Sequence, residues 1–312
     1  MPNRRDFLVG LSGLVAEHTL FASEQMRFAV SGFLLWGRDA DLRRIDQGIQ
    51  NAKRFGYQGI EPYVFDVNRF LDKPTVIKQR LDTAGLSLVT LSGGGVFTEP
   101  TKLPKTIAYN VHLIREFIAP FGCKHLKINV EPDGERPPGG TTPDQIKTIA
   151  AGLNELGKRS SELGLKLGFH PHIWSAIENE HEMNAVLERT DPKLVYLVPD
   201  TAHLTLGGMN AVQVVKQHFD RIVAVHIKDT DAKYRNWKGP TPTKEEHARA
   251  SLYKPLGTGG VDFPAFFQAL RGRNYRGWVT LDVDEPRPGE GTPEEYLAAD
   301  TRYLREALHL QF

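Results

Sequence analysis

Four short runs in the second half of the chain carry side chains that can bind a cation or move a proton. They are Gly168-Phe169-His170-Pro171-His172, Val198-Pro199-Asp200-Thr201-Ala202-His203, Val225-His226-Ile227-Lys228-Asp229 and Thr280-Leu281-Asp282-Val283-Asp284. In each, a ligand-type side chain stands where an apolar stretch stops. Two imidazoles and two carboxylates brought together make a mixed nitrogen–oxygen site that suits one divalent ion, Mn, Co, Zn, Fe or Mg, with water in the remaining positions. The chain has one cysteine, Cys123, which excludes an intrachain disulfide and a cysteine-based zinc site. Taken singly, each residue has a plainer reading. A strand-end histidine is more often a hydrogen-bonded structural residue, and Asp200-Thr201 reads as a helix N-cap. Four such residues on four successive strand ends favour the metal.

The elements that must position them are short apolar runs alternating with amphipathic ones. The apolar runs are Arg27–Phe33, Gly59–Tyr63, Ser87–Leu91, His125–Val130, Lys166–Pro171, Leu194–Pro199, Ile222–Ile227 and Trp278–Val283. Several lack polar alternation, as parallel strands covered on both faces do. Helical stripes lie between them: Leu42, Ile45, Ile49 and Ala52; Ile107, Val111, Ile114 and Ile118; Ile146, Ile149, Leu153 and Leu156; Phe263, Phe266, Phe267 and Leu270; and Tyr296, Leu297, Tyr303 and Leu304. Thr141-Thr142-Pro143-Asp144 and Thr292-Pro293-Glu294-Glu295 read as helix starts, and Gly56, Gly85 and Gly164 as stops. Eight strands alternating with helices predict a single-domain α/β protein, a (β/α)8 TIM barrel, over residues 25–312. No Gly-x-Gly-x-x-Gly follows the first strand, so the mark of a dinucleotide-binding fold is missing. In a barrel the four site-bearing strand ends are neighbours at the C-terminal mouth, where barrel active sites sit. Asp229 to Val261, rich in Lys, Gly, Pro and Thr, is too long for a plain connection and is expected to form a lid after strand seven.

Further residues at strand ends can be given roles. Glu61 ends strand two and could bind a hydroxyl or act as a base. His172 and His203 lie beyond the ligands and could bind substrate or shuttle protons. Lys228 could stabilise an oxyanion, or pair with Asp229 as a plain salt bridge. Glu131 ends strand four. Trp36 and Trp174 follow strands one and five and could stack on the apolar face of a sugar ring, or pack the rim. Ser92-Gly93-Gly94-Gly95 would let backbone approach a ligand, without the Lys-Ser/Thr of a P-loop.

These motifs resemble the xylose-isomerase-like barrel superfamily of sugar isomerases, epimerases and dehydratases. Asp-Thr-x-His at 200–203, Val-His-Ile-Lys-Asp at 225–229 and Gly-Trp-Val-Thr-Leu-Asp at 277–282 look like its strand-six, strand-seven and strand-eight motifs, the last usually ending in Glu. Gly59-Ile60-Glu61 looks like its strand-two motif, and Gly257-Thr-Gly-Gly-Val-Asp-Phe263 like the segment before the last crossover helix. The likeness spans about residues 26–308. His170-Pro171-His172, Ser175 and Glu178 resemble most the His-rich segment of the inosose dehydratases. The superfamily's epimerases carry Glu where His170 stands, so their two-glutamate pair is missing here. The resemblance implies His170, Asp200, His226 and Asp282 as the metal set, with Glu178 able to take the place of His170. It also implies a keto-sugar or keto-cyclitol as substrate. The ion would stabilise an enolate, with His172, Glu178 and Glu61 as candidate bases in that order. Elimination makes the enzyme a dehydratase; reprotonation makes it an isomerase or epimerase.

The N-terminus reads differently. Arg4-Arg5 followed by the apolar Phe7–Ala16 resembles a Tat export signal, so residues 1–24 are set apart from the fold and a periplasmic location is expected, with the cytoplasm as the alternative. Lys plus Arg number 39 and Asp plus Glu 38, with no long charged run, which argues against nucleic acid and anionic membranes as partners. A small sugar-like molecule is the expected partner, and a homo-oligomer is compatible with the sequence. A metal-dependent phosphodiesterase or endonuclease on the same barrel is the competing reading. It is disfavoured because strands one and three end in Ser31-Gly32-Phe33 and Ser92-Gly93-Gly94, without His or carboxylate. A sugar-binding protein without catalysis is a third.

Overall fold

The computed structural model describes residues 26–284, 286–287 and 289–312. The twin-arginine segment, residues 1–24, lies outside them. The strands are β1 (Arg27–Ser31), β2 (Gly59–Glu61), β3 (Ser87–Leu88), β4 (Gly93–Val96), β5 (His125–Glu131), β6 (Lys166–His170), β7 (Val195–Leu197), β8 (Ala224–Ile227), β9 (Asp229–Thr230), β10 (Tyr253–Lys254) and β11 (Trp278–Leu281). Two parallel sheets, β3-β2-β1-β11-β8 and β4-β5-β6-β7, are joined at both edges by parallel bridges. These are Tyr63–Ser92 on one side, and Leu197–Ile222 and Asp200–His226 on the other. The ring closes into a barrel with β3 and β4 as two halves of its third strand.

That broken third strand departs from the expectation. The sequence ends it at Leu91, yet Gly93–Val96 pairs with β5. The reason is Asn110, whose side chain both accepts from Gly94 N at 3.1 Å and donates to Gly94 O at 2.9 Å. A Cβ at Gly93 would lie 2.3 Å from Asn110 Oδ1. Gly93 and Gly95 admit Asn110 and Thr106 of the helix Leu103–Leu113, and Gly94 admits Asn129 of β5.

The helices follow the stripes. Leu42–Arg54 is N-capped by Asp41 and buries Ile45, Ile49 and Ala52. Pro143–Glu162 and Pro293–Arg302 start in capping boxes, Thr142 with Gln145 and Thr292 with Glu295. Phe263–Gly272 buries Phe263, Phe266 and Phe267 against the barrel, each of which stabilises by about 2–3 kcal/mol. No helix among the described residues is long and apolar enough to cross a membrane.

Strand alternation decides what fills the barrel. Inward residues near the N-terminal end are apolar: Ala29, Val89, Val198, Ala224 and Trp278 pack together as a floor. Gly59 and Gly168 make room for it, since a Cβ at Gly59 would lie 3.0 Å from the Trp278 ring and one at Gly168 2.6 Å from Val198. Two residues further along, the same inward face carries Glu61, His170, His226 and Thr280, and His226 is the register partner of Thr280.

The segment 229–261 has structure of its own. β9 and β10 pair antiparallel, Tyr253 opposite Thr230 and Lys254 opposite Asp229, with helix Lys244–Arg249 between them. It builds an apolar cluster separate from the main core and the floor, in which Tyr234 and Leu252 join Ile173 and Leu206, with Trp174, Trp237 and Tyr253 packed against it. Trp36, expected at the mouth, is instead fully buried in the main core. It ends the helix Gly32–Trp36 and lies under Leu42–Arg54, where Gly48 yields space: a Cβ there would sit 2.5 Å from Trp36 Cδ1.

Candidate active site

Four strand ends deliver one side chain each to the mouth. His170 closes β6, and its Nδ1 lies 3.0 Å from Val198 O. That nitrogen must donate to the carbonyl, which leaves Nε2 with a lone pair; Nε2 is buried with no hydrogen-bond partner. Asp200 follows β7 and uses its two oxygens differently. Oδ1 accepts from Ala202 N and His203 N at 2.8 and 3.0 Å, capping helix Thr201–Leu206. Oδ2 is buried and unpartnered, and lies 4.0 Å from His226 Nδ1. His226, on β8, has Nδ1 3.0 Å from Asp282 Oδ2 and Nε2 2.9 Å from Glu61 Oε1. Asp282, past β11, also accepts from the Tyr63 hydroxyl at 3.0 Å. One ligand atom from each of His170, Asp200, His226 and Asp282 lies within 4.8 Å of the others, and all four residues are buried.

Burial without compensation is costly for polar groups. His170 Nε2 and Asp200 Oδ2 are two such groups on one small space, beside two carboxylate-bonded imidazole nitrogens. This is the pattern a cation would satisfy. Burial drives His170 well below the ordinary histidine range, so its imidazole is neutral. Burial opposes protonation of His226 too, but Glu61 and the Asp282 hydrogen bond outweigh it and hold that imidazole up at about 9. Asp282 is held well below the usual carboxylate range: burial would raise it, and Lys228 and His226 overcome that.

Around this group the expected residues fall into two sets. His172 and His203 lie beside it, with His172 and His203 ring centroids 3.6 Å apart and each within 5.8 Å of His170. His172 Nδ1 meets Ile173 O at 2.5 Å, and burial lowers its pKa to about 4. His203 Nδ1 is buried and unpartnered. Lys228 is buried, donates to Asp284 Oδ1 at 2.7 Å and lies 4.2 Å over the Tyr253 ring, so Tyr253 of the 229–261 segment reaches the site. Burial alone would depress Lys228, but Asp284 and Asp282 hold its pKa well above the ordinary value. Glu131, half-buried at the end of β5, is raised by burial against the pull of Lys244.

Three expectations are corrected. Glu61 is no base at the mouth. It is 1% exposed inside the barrel, with Oε1 on His226 and Oε2 accepting from Thr280 Oγ1 at 2.7 Å. Glu178 is not in the His170 group. Its oxygens accept from Trp174 N at 2.6 Å and Thr241 Oγ1 at 2.9 Å, and Arg136 Nε lies 3.3 Å away. It ties the loop after β6 to the 229–261 segment, as does Trp174, whose Nε1 donates to Pro242 O at 2.7 Å. Lys228 does not pair with Asp229, whose carboxylate accepts the backbone N–H groups of Thr230, Gly257, Gly259 and Val261.

Sequence reasoning missed Lys127, Tyr63 and Asp284. Lys127 is fully buried, with Nζ 3.5 Å from Glu61 Oε1 and 4.5 Å from the Tyr63 ring centroid. A signal existed: His125, Lys127, Asn129 and Glu131 alternate with Leu126, Ile128 and Val130, which marks one polar face in a strand.

A closed parallel barrel with imidazoles and carboxylates gathered at the C-terminal ends of its strands defines an α/β-barrel enzyme. Comparison with known proteins names the group. The chain belongs to the xylose isomerase-like TIM barrel family, whose model matches residues 49–307. Inosose dehydratase of Geobacillus thermodenitrificans is 27% identical over 258 residues, covering 78% of this chain and 84% of that protein. Inosose dehydratase of Clostridium botulinum (strain Alaska E43 / Type E3) is 27% identical over 281 residues, 84% and 89% of the two chains. Among solved structures, an IOLI protein with a binding zinc atom shares the fold, with a TM-score of 0.72 at 17% identity, over 92% of this chain and 100% of that one.

Proposed function

We propose that the chain is a divalent-metal-dependent lyase that dehydrates a keto-cyclitol or a related keto-sugar. The observation that carries this reading is the convergence of His170, Asp200, His226 and Asp282, two of them with buried, unpartnered ligand atoms. The relatives named inosose dehydratase, similar over most of the chain, favour elimination over epimerisation. Bound there, a Mn, Co, Zn, Fe or Mg ion supplies Lewis-acid stabilisation of charge developing on a substrate oxygen. The chain's own residues do the rest. His172 donates its Nδ1–H to Ile173 O, which leaves the Nε2 lone pair as the acceptor, and at its low pKa the ring is neutral before reaction. It takes the proton α to the substrate carbonyl. The ammonium of Lys228, fixed by Asp284, donates to the β-oxygen as the C–O bond breaks, and that hydroxyl leaves as water. His203, Glu131 and Trp174 line the substrate's side, and the 229–261 segment, carrying Tyr253, covers it.

Proton NMR in deuterated water tests the reaction, with keto-inositols, 3-keto-glycosides and ketohexoses as substrates. The expected result is metal-dependent α-deuterium incorporation and a vinylic product signal, both lost in Asp200→Ala and His226→Ala along with the ion. Deuterium exchange without a vinylic signal converts the reading to an isomerase or epimerase. Hydrolysis of a phosphodiester, with no exchange in any sugar, overturns it.

The Arg4-Arg5 segment is proposed to export the folded enzyme. Replacing both arginines by lysine should retain the protein in the cytoplasm of its host. Equal periplasmic amounts of parent and variant would refute export by this route.

A further inference from the structure

The residues beneath the four-residue group form a second tier that the proposed reaction does not use. Glu61 projects from β2 into the barrel and meets two residues of neighbouring strands at once. Oε1 lies 2.9 Å from His226 Nε2, and Oε2 accepts from Thr280 Oγ1 at 2.7 Å. Thr280 and His226 are register partners on β11 and β8, so one carboxylate spans the pair. From β5, Lys127 brings Nζ to 3.5 Å from Oε1. Glu61 and Lys127 are 1% and 0% exposed. A carboxylate held from three sides has one orientation to offer the imidazole.

We infer that Glu61 is a positioning residue, which fixes His226 in the tautomer and ring orientation that present Nδ1 to Asp200 and Asp282. The inference rests on the reading that His170, Asp200, His226 and Asp282 hold a divalent ion. Glu61 lies on Nε2 and accepts its N–H, so when an ion takes the place of the Nδ1 proton the ring keeps its remaining proton on Nε2 and offers the Nδ1 lone pair. Nδ1 is the nitrogen 3.0 Å from Asp282 Oδ2 and 4.0 Å from Asp200 Oδ2. Without Glu61, nothing else the structure puts on Nε2 would hold that proton, and the ring could rotate or swap tautomers. Partners of this kind orient metal-ligating histidines and typically change metal affinity 10–100-fold when removed. Lys127 and Thr280 act one step further back, by fixing Glu61.

The competing account is that this is a buried ion pair serving the barrel alone. The two separate on the affinity of the folded protein. Cobalt(II) affinity is measured by chelator competition for the parent, Glu61→Gln, Glu61→Ala and Lys127→Met, together with the cobalt visible spectrum and the downfield exchangeable imidazole N–H signal in proton NMR. Expected are a 10–100-fold loss of affinity in Glu61→Ala, a smaller loss in Glu61→Gln and Lys127→Met, and disappearance of the N–H signal in Glu61→Ala. Should Glu61→Ala fail to fold, the near-isosteric Glu61→Gln decides by its affinity and spectrum. Variants that melt lower yet bind cobalt as the parent does, with the parental spectrum and N–H signal, overturn the inference and leave the metal reading standing. A parent that binds no cobalt removes both.

Discussion

Asp200 shows how one residue satisfies two readings of the same sequence. Read as a helix cap, it is one: Oδ1 takes two backbone N–H groups. Read as a ligand, it has Oδ2 to spare, buried and unpartnered. Lys228 is the opposite case, since its partner lies 56 residues away rather than at the next position. Holding an ammonium between Asp284 and the Tyr253 ring costs conformational freedom and desolvation, which a hydrogen bond formed during reaction would offset. Lys228→Met preserves most of the volume and removes the charge. The expected outcome is a fall in kcat of about 10²-fold or more, with metal content by elemental analysis equal to that of the parent. A variant with parental kcat would reduce Lys228 to a structural ion pair.

At the scale of elements, the segment between β8 and the Phe263–Gly272 helix depends on Asp229. Its carboxylate gathers the N–H groups of Thr230, Gly257, Gly259 and Val261 at 2.8–3.0 Å. So tight a wrap admits no side chain where the backbones touch. A Cβ at Gly259 would lie 1.8 Å from Thr230 O and 2.5 Å from Asp229 Oδ1. Gly259→Ala should therefore destabilise the protein by about 3 kcal/mol, measured by urea unfolding. A loss under about 0.5 kcal/mol, the range of ordinary surface changes, would show the wrap to be loose. The sequence pattern Gly-Thr-Gly-Gly-Val-Asp was legible as a motif, but its reason was not, because the atoms that forbid a Cβ belong to residues about 30 positions away.

For the whole molecule, the last helix is pinned to this segment by Asp300, whose Oδ1 accepts from Leu256 N at 2.7 Å while Oδ2 is buried without a partner. Burial pushes its pKa from 3.8 up to about 7. The folded state thus holds this proton more tightly than the unfolded chain. Its contribution to stability is fully present below about pH 4 and is lost as pH rises through about 7. Asp300→Asn keeps the acceptor for Leu256 N and cannot ionise. Relative to the parent, the variant should gain on the order of 2 kcal/mol between pH 5 and pH 8.5, read from urea unfolding at both. Parallel pH profiles would mean that Asp300 is solvated in the folded protein.

What the sequence by itself determined is what local pattern and chain order can carry. Apolar runs and helical stripes gave eight barrel positions. Polar residues at the ends of four runs located the site, because a parallel barrel puts successive strand ends side by side whatever the loops do; the resemblance to the barrel superfamily singled out His170, Asp200, His226 and Asp282 among them. Only the tertiary structure decided which atoms meet across the barrel. Trp36 lies in the core because Gly48 of the next helix leaves it a slot. Glu178 is drawn off to Arg136 and Thr241, and Glu61 turns inward to His226 while Lys127 comes up behind it from β5. Those contacts join residues far apart in the chain. They depend on which face of each strand points inward and on the reach of each side chain, and a one-dimensional pattern fixes neither until the ring has closed.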